Sequence, residues 1–212
     1  MILNVISDTH TYHNDIDTGK SDFLVHCGDY SSSRYSARKD FFNFIDWYKD
    51  RDSKYKILIS GNHDFETYKN LNSARKELEK RDIIYLENES ITIEGYKFYG
   101  TPYTQIFFDW AYMLNEKKLK MNFDLIENDT DILITHGPPY SILDKNLQNK
   151  KCGSKELLEA IKKISARLIL FGHIHESAGS LERYNKLFVN ASSLLSSLDY
   201  RSIDLNNYEL IV

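Results

Sequence analysis

Apolar runs that do not alternate with polar residues restrict this chain more than any other feature. Ile132-Leu133-Ile134 and Leu168-Ile169-Leu170-Phe171 contain no polar residue. A strand that is apolar on both faces must be covered on both, as in a largely parallel sheet inside a layered fold. Short runs of β type are expected over residues 2–6, 23–26, 56–60, 91–93, 97–99, 132–135, 168–171, 187–190 and 208–212. Between them, residues 36–49 set Phe41, Phe42, Ile45 and Tyr48 at helical spacing. Residues 72–81 and 154–164 also read as helices, with Asn72 and Ser154 as N-caps and Glu156 in a first turn. Leu157, Leu158, Ile161 and Ile164 form one apolar stripe, which marks the last helix as core-facing. Strand and helix alternate in the first half, and the second half is richer in strands. The expectation is an α/β protein, one domain over residues 1–212, with a buried sheet system covered by helices.

Charge and cysteine content narrow the function classes. The 212 residues carry 27 Lys and Arg against 31 Asp and Glu, a net charge of -4. That balance argues against holding long nucleic acid by counterion release. Cys27 and Cys152 make no disulfide framework and no zinc-finger spacing, and are read as reduced thiols. Residues 1–6 have no basic leader, Asp8 interrupts any apolar segment early, and no apolar run nears the roughly 20 residues of a membrane helix. The expected location is the cytoplasm, with no membrane contact. Oligomeric state is not encoded in any of these features.

The histidines carry the chemistry. Five strand ends give Ser7-Asp8-Thr9-His10, His26-Cys27-Gly28-Asp29, Gly61-Asn62-His63-Asp64, Thr135-His136-Gly137-Pro138-Pro139 and Gly172-His173-Ile174-His175. Ligands collect beyond the carboxyl ends of strands in α/β sheets. Five such ends would converge into a site of imidazole and carboxylate donors, a mixture that suits Mn, Fe, Zn or Co. Asp8 with His10, and His173 with His175, are two apart, so on extended chain each pair points to one side. The glycines at 28, 61, 137 and 172 suit sharp turns and close backbone approach. Eight ligand-type positions exceed the needs of one ion, and two ions sharing a carboxylate account for them. Each element alone reads as an ordinary turn or a hydrogen-bonded histidine; the order of all five on one chain favours the metal site.

Those five blocks resemble the calcineurin-like metallophosphoesterases. The stretches Tyr99-Gly100-Thr101-Pro102-Tyr103, Cys152-Gly153, Gly172-His173-Ile174-His175-Glu176 and Val189-Asn190-Ala191-Ser192 are similar to the small MPPED group within that family. Gly28-Asp29-Tyr30-Ser31 lacks the Asp-Arg-Gly that marks the Ser/Thr protein phosphatases. The resemblance implies a four-layer α-β-β-α sandwich of two mixed sheets. It implies one metal held by Asp8, His10, Asp29 and His175, and a second held by Asp29, Asn62, His136 and His173, with Asp29 bridging. Manganese is the first choice, with iron, zinc, nickel or cobalt as alternatives. His63 matches the family's non-ligand histidine at the scissile phosphate, either holding its oxygens or protonating the leaving group.

The implied reaction is phosphodiester hydrolysis by a metal-bridging hydroxide, with cyclic nucleotides or related small nucleotides as leading substrates. A phosphomonoesterase, a nuclease and a non-enzymatic scaffold on the same fold are the alternatives. Expected substrate contacts are Tyr12, His13, Asn62 and Tyr103; a plain loop is an equal reading for Tyr12 and His13. The aromatic segment 103–112 reads first as core packing and second as a stacking wall for a nucleobase. His26 reads as a buried, satisfied histidine, Asp64 as orienting His63 or capping the next turn, and Lys117, Lys118 and Lys120 as a solvated face.

Overall fold

The alternating faces of the strands dictate the layers. In the computed structural model, which describes residues 1–193 and 200–211, the first half contains β1 (Ile2–Ile6), β2 (Ser21–His26), α1 (Ala37–Lys49), β3 (Ser53–Leu58), α2 (Phe65–Glu79), β4 (Ile83–Tyr85), β5 (Glu89–Ile93), β6 (Tyr96–Thr101) and β7 (Thr104–Gln105). The second half adds β8 (Met113–Leu114), α3 (Glu116–Phe123), β9 (Ile132–Thr135), α4 (Lys155–Ile161), β10 (Leu168–Phe171), β11 (Gly179–Arg183), β12 (Lys186–Asn190), β13 (Arg201–Asp204) and β14 (Glu209–Leu210). One six-stranded sheet has the order β14-β13-β1-β2-β3-β4, the other β11-β12-β10-β9-β6-β5. The inner strands of both sheets pair in parallel, and antiparallel partners lie towards the edges.

Leu3, Val5, Phe23, Val25 and Ile57 of the first sheet pack against Phe98, Ile132, Ile134, Leu168, Leu170 and Val189 of the second. The intervening residues point the other way, as the two-residue period of a strand requires. Ile6, Leu24 and Leu58 meet Phe41, Phe44, Ile45 and Tyr48 of α1 and Ala74 and Leu78 of α2. Leu133, Ile169, Phe171 and Phe188 meet Leu119 and Phe123 of α3 and Leu157 and Ile161 of α4. The architecture is therefore the expected four-layer α/β sandwich of mixed sheets and helices.

Several local expectations are corrected. Asn72 is not an N-cap: α2 begins at Phe65, straight after the Gly61-Asn62-His63-Asp64 turn, and its one irregularity is non-helical backbone at Asn70. The last strand spans only Glu209–Leu210, and Val212 lies outside the described residues. Ser154 does cap α4, accepting from the Leu157 backbone N–H at 3.2 Å. No helix among the described residues is long and apolar enough to cross a membrane.

Candidate metal centre

Parallel strands put their carboxyl ends on one side, and all five histidine-bearing loops leave from there. The loops after β1, β2 and β3 come from the first sheet, those after β9 and β10 from the second. Backbone bonds join them: the Asp8 N–H donates to the Gly28 carbonyl, His10 to Asp29, and Gly172 to His136. Two close approaches need glycine. A Cβ on Gly61 would overlap Asp29 Oδ1 and His136 Cε1, and one on Gly172 would overlap Asp8 Oδ2 and Ser7 Oγ. Four loop residues with side chains in the cluster sit in the left-handed backbone region: Asp8 (φ 55°), His10 (φ 40°), Asp29 (φ 59°) and His173 (φ 70°). Such strain, of order 1–3 kcal/mol per residue, persists only where surrounding contacts enforce it.

Three imidazoles are anchored in the same way. Nδ1 of His10 lies 3.0 Å from the Ser31 carbonyl, Nδ1 of His63 3.1 Å from Ser32, and Nδ1 of His136 2.9 Å from Cys27. A carbonyl only accepts, so each Nδ1 carries the proton and each Nε2 points inward. These Nε2 atoms surround Asp29 Oδ2 at 3.8 Å (His10), 4.0 Å (His63) and 3.4 Å (His136). His136 Nε2 is also 3.0 Å from Asn62 Oδ1. His175 Nε2 is 3.4 Å from Asp8 Oδ1 and 3.3 Å from His10 Nε2. Lone pairs of nitrogen and oxygen that face each other this closely repel unless a cation or a proton lies among them. The donor set thus fits divalent metal. Asp8, His10 and His175 form one group able to hold an ion, Asp29, His136 and His173 a second, and His10, Asp29 and His63 a third between them.

Electrostatics follows from burial and from this crowding. Burial alone would raise the Asp29 carboxyl, but His136, His63 and His10 hold it well below the usual carboxylate range. Asp8 behaves likewise, lowered against its burial chiefly by His175. Burial works against a charged His136, yet Asp29 and then Asp8 push it up to about 9. Burial takes His173 down to about 3, helped by the neighbouring His136. Secondary contacts fix the carboxylates. Ser192 Oγ donates to Asp8 Oδ2 at 2.5 Å, the His173 N–H to the same oxygen at 2.9 Å, and the His63 N–H to Asp29 Oδ1 at 2.7 Å.

The expected ligand residues Asp8, His10, Asp29, Asn62, His136, His173 and His175 are all brought together with His63. His26 is buried, bonded to Thr9 and the Gly28 N–H, and burial takes it down to about 3. Asp64 stands at the N-cap position of α2 but makes no side-chain cap: its buried carboxyl accepts the backbone N–H groups of Asp29, Gly61 and Ser31, tying two loops together. One substrate contact needs correction. His13 is buried against Phe44 and Trp47, because its short 3-10 turn tucks it under α1, and none of its ring contacts is with a histidine of the cluster. Tyr103 is half-buried, its hydroxyl donating to Glu87 Oε1 at 3.4 Å among Tyr85 and Tyr112. Tyr12 is exposed.

The aromatic segment divides. Ala111 and Tyr112 are core, whereas Ile106, Phe107 and Phe108 are more than half exposed. Phe107 lies 5.7 Å from the His173 ring, and Trp110 lies 4.2 Å from His63. Sequence reasoning marked residues 103–112 as an aromatic run without assigning Trp110 or Phe107 a place beside a particular histidine; the density of aromatics was the only signal. Beside His173 opens a cleft of about 510 Å³, lined by Thr104, Phe107, Lys150, Lys151 and Glu176 among others.

The model of the calcineurin-like phosphoesterase family matches residues 1–177. Human metallophosphoesterase domain-containing protein 1 (Homo sapiens) is 30% identical over 230 residues, covering 94% of this chain and 67% of that protein. Among solved structures, TT1561 of Thermus thermophilus superposes with a TM-score of 0.67 at 17% identity, over 99% of this chain and 96% of that one. A structure described as a novel archaeal phosphodiesterase gives 0.52 at 17% identity, over 99% and 97%. The five blocks, the paired sheets and these likenesses agree: the chain belongs to the calcineurin-like phosphoesterases, metal-dependent hydrolases of phosphoric esters, and is similar to their MPPED-type members.

Proposed function

We propose that this protein hydrolyses small phosphodiesters, nucleotides foremost and cyclic nucleotides among them, in the cytoplasm. The reading rests on one observation: Asp29 Oδ2 is ringed by the Nε2 atoms of His10, His63 and His136. On this reading Asp8, His10, Asp29 and His175 hold one divalent ion and Asp29, Asn62, His136 and His173 the other, with manganese the first candidate. Bound there, the pair would supply hydroxide near neutral pH and draw off charge developing on the phosphate oxygens. His63 is the catalytic side chain. Its Nδ1–H is committed to Ser32, so Nε2 is the nitrogen left to face the phosphate, and on this reading a proton carried there would hold a phosphate oxygen or pass to the leaving oxygen. Asp8 and Asp29, kept ionised by their histidine neighbours, hold the site ready for cations at neutral pH.

A diester is favoured over a monoester because the second substituent has somewhere to go. The cleft beside His173 accommodates an organic group, and Phe107 on its wall offers a face for a flat base. The archaeal neighbour's own description as a phosphodiesterase is in keeping with this. Net charge of -4 suits a small substrate better than a long polyanion. The test strips the protein with chelator, restores Mn²⁺ and compares a chromogenic phosphodiester with its monoester, alongside 2′,3′- and 3′,5′-cyclic nucleotides. His136→Ala should abolish metal-dependent turnover, and His63→Ala should lose turnover while keeping its metal content. A preference for the monoester would replace the reading with a phosphatase, and full activity in both variants would remove it.

A further inference from the structure

We propose that Trp110 is a positioning residue that holds the His63 imidazole in its working orientation, and that Arg34 holds Trp110. The inference rests on the catalytic role given to His63 above.

His63 has little to hold it by itself. Its Nδ1 has one partner, the Ser32 carbonyl at 3.1 Å, and the ring is partly open to solvent. One hydrogen bond leaves rotation about that axis free. The indole of Trp110 removes this freedom, lying 4.2 Å away at 32°, while His10 meets the ring edge-on at 4.7 Å and 82°. The indole in turn is fixed from three directions. The Ala111 N–H donates to the Asn62 carbonyl at 3.1 Å, tying the aromatic loop to the turn that carries His63. Short pairing of β7 with β8 closes the loop at its base. Arg34 lies 5.7 Å from the Trp110 ring and 4.9 Å from Phe65, and it bonds the Asp109 carbonyl and pairs with the Asp109 carboxylate at 3.6 Å. Cation–π contact of this kind gains strength as the site is desolvated. The indole is thus already engaged by protein side chains, whereas Phe107 and Phe108 of the same segment are more than half exposed.

A double-mutant cycle separates positioning from general support. Trp110→Ala is measured alone and in the His63→Ala background, on the chromogenic phosphodiester with Mn²⁺, with metal content and Tm recorded for each variant. Trp110→Ala should lower kcat about tenfold or more at nearly constant KM, and should lower the residual rate that survives His63→Ala by less than about twofold. Trp110→Phe should recover most of the loss. Equal loss in both backgrounds would overturn the inference and leave the proposed function standing. Full activity of His63→Ala would instead overturn the role of His63 and this inference with it. A readout independent of turnover uses Trp47→Phe protein, in which Trp110 is the one remaining tryptophan. There, His63→Ala should brighten and Arg34→Ala should red-shift indole emission. Unchanged emission in both would refute the contacts even if Trp110→Ala failed to fold.

Discussion

At the scale of single residues, the metal-ligand role proposed for His136 would couple metal binding to protons. The ring is raised to about 9 although burial opposes its charge, because Asp29 and Asp8 lie beside it. A histidine in the unfolded chain titrates near 6.5. The charged ring therefore stabilises the metal-free fold fully below pH ~6.5, and this contribution is lost as pH rises through about 9. A cation at Nε2 has to displace that proton. Titrating Mn²⁺ into chelator-stripped protein at neutral pH should release protons, detected as heats that change with the ionisation enthalpy of the buffer. Affinity should climb as the pH is taken towards 9; flat affinity would contradict the assignment. The side chains in this group were legible from sequence because their types and spacing are chemical requirements. His13 was not, since three residues after His10 nothing in the sequence distinguishes a ring turned to the ligands from one turned under Trp47. Backbone angles at Asp8, His10, Asp29 and His173 were equally hidden, because Asp and His only rarely take up that conformation.

At the scale of elements, caps and edges separate what local sequence decides from what packing decides. Ser154 and the apolar stripe behind it mark the start of α4 and its buried face, so the helix was readable to its first residue, although it ends at Ile161, before the expected 164. Ser154→Ala should cost about 1 kcal/mol, lowering the Tm by roughly 2–4 °C. It should leave metal content unchanged, which elemental analysis alongside calorimetry would check. α2 was misread at its start because its beginning is dictated by Asp64, whose carboxylate is taken by Asp29, Gly61 and Ser31 and gives no capping bond to the helix. α3 was overlooked: eight residues rich in lysine show only a weak apolar face, although Asn115 caps it and Lys120 pairs with Asp124 in solvent, as a polar face would. β11 escaped notice for the converse reason. It is an exposed edge strand without the apolar run that marked its neighbours.

At the scale of the whole molecule, the site is a joint between two sheets. Asp8, His10, Asp29, Asn62 and His63 come from the first, His136, His173 and His175 from the second. Ser192, beyond β12, reaches across to Asp8, and the Ser193 N–H donates to the Ser7 carbonyl. Any ion held by ligands from both sheets stabilises their association, by about 2.7 kcal/mol when free metal is a hundred times its Kd. For a chain of this length that corresponds to roughly 5–11 °C per ion. Thermal unfolding with saturating metal and with chelator should differ by at least this much, and equal Tm values would mean that no ion binds the folded chain in preference to the unfolded one. The layers themselves were legible, because apolar runs without alternation leave few other arrangements. The convergence of eight side chains at one seam was legible only as a list; the seam needs both sheets in place.

The left-handed backbone at Asp29 bears on which residues the position can take. Asparagine tolerates that conformation better than most residues, matches aspartate in shape, and would keep an oxygen for the His63 N–H while removing a buried charge. Yet that same charge raises the buried His136 ring, so the substitution the backbone accepts would cost the metal-free cluster its ion pair. Backbone and charge thus ask different things of one position, and aspartate meets both.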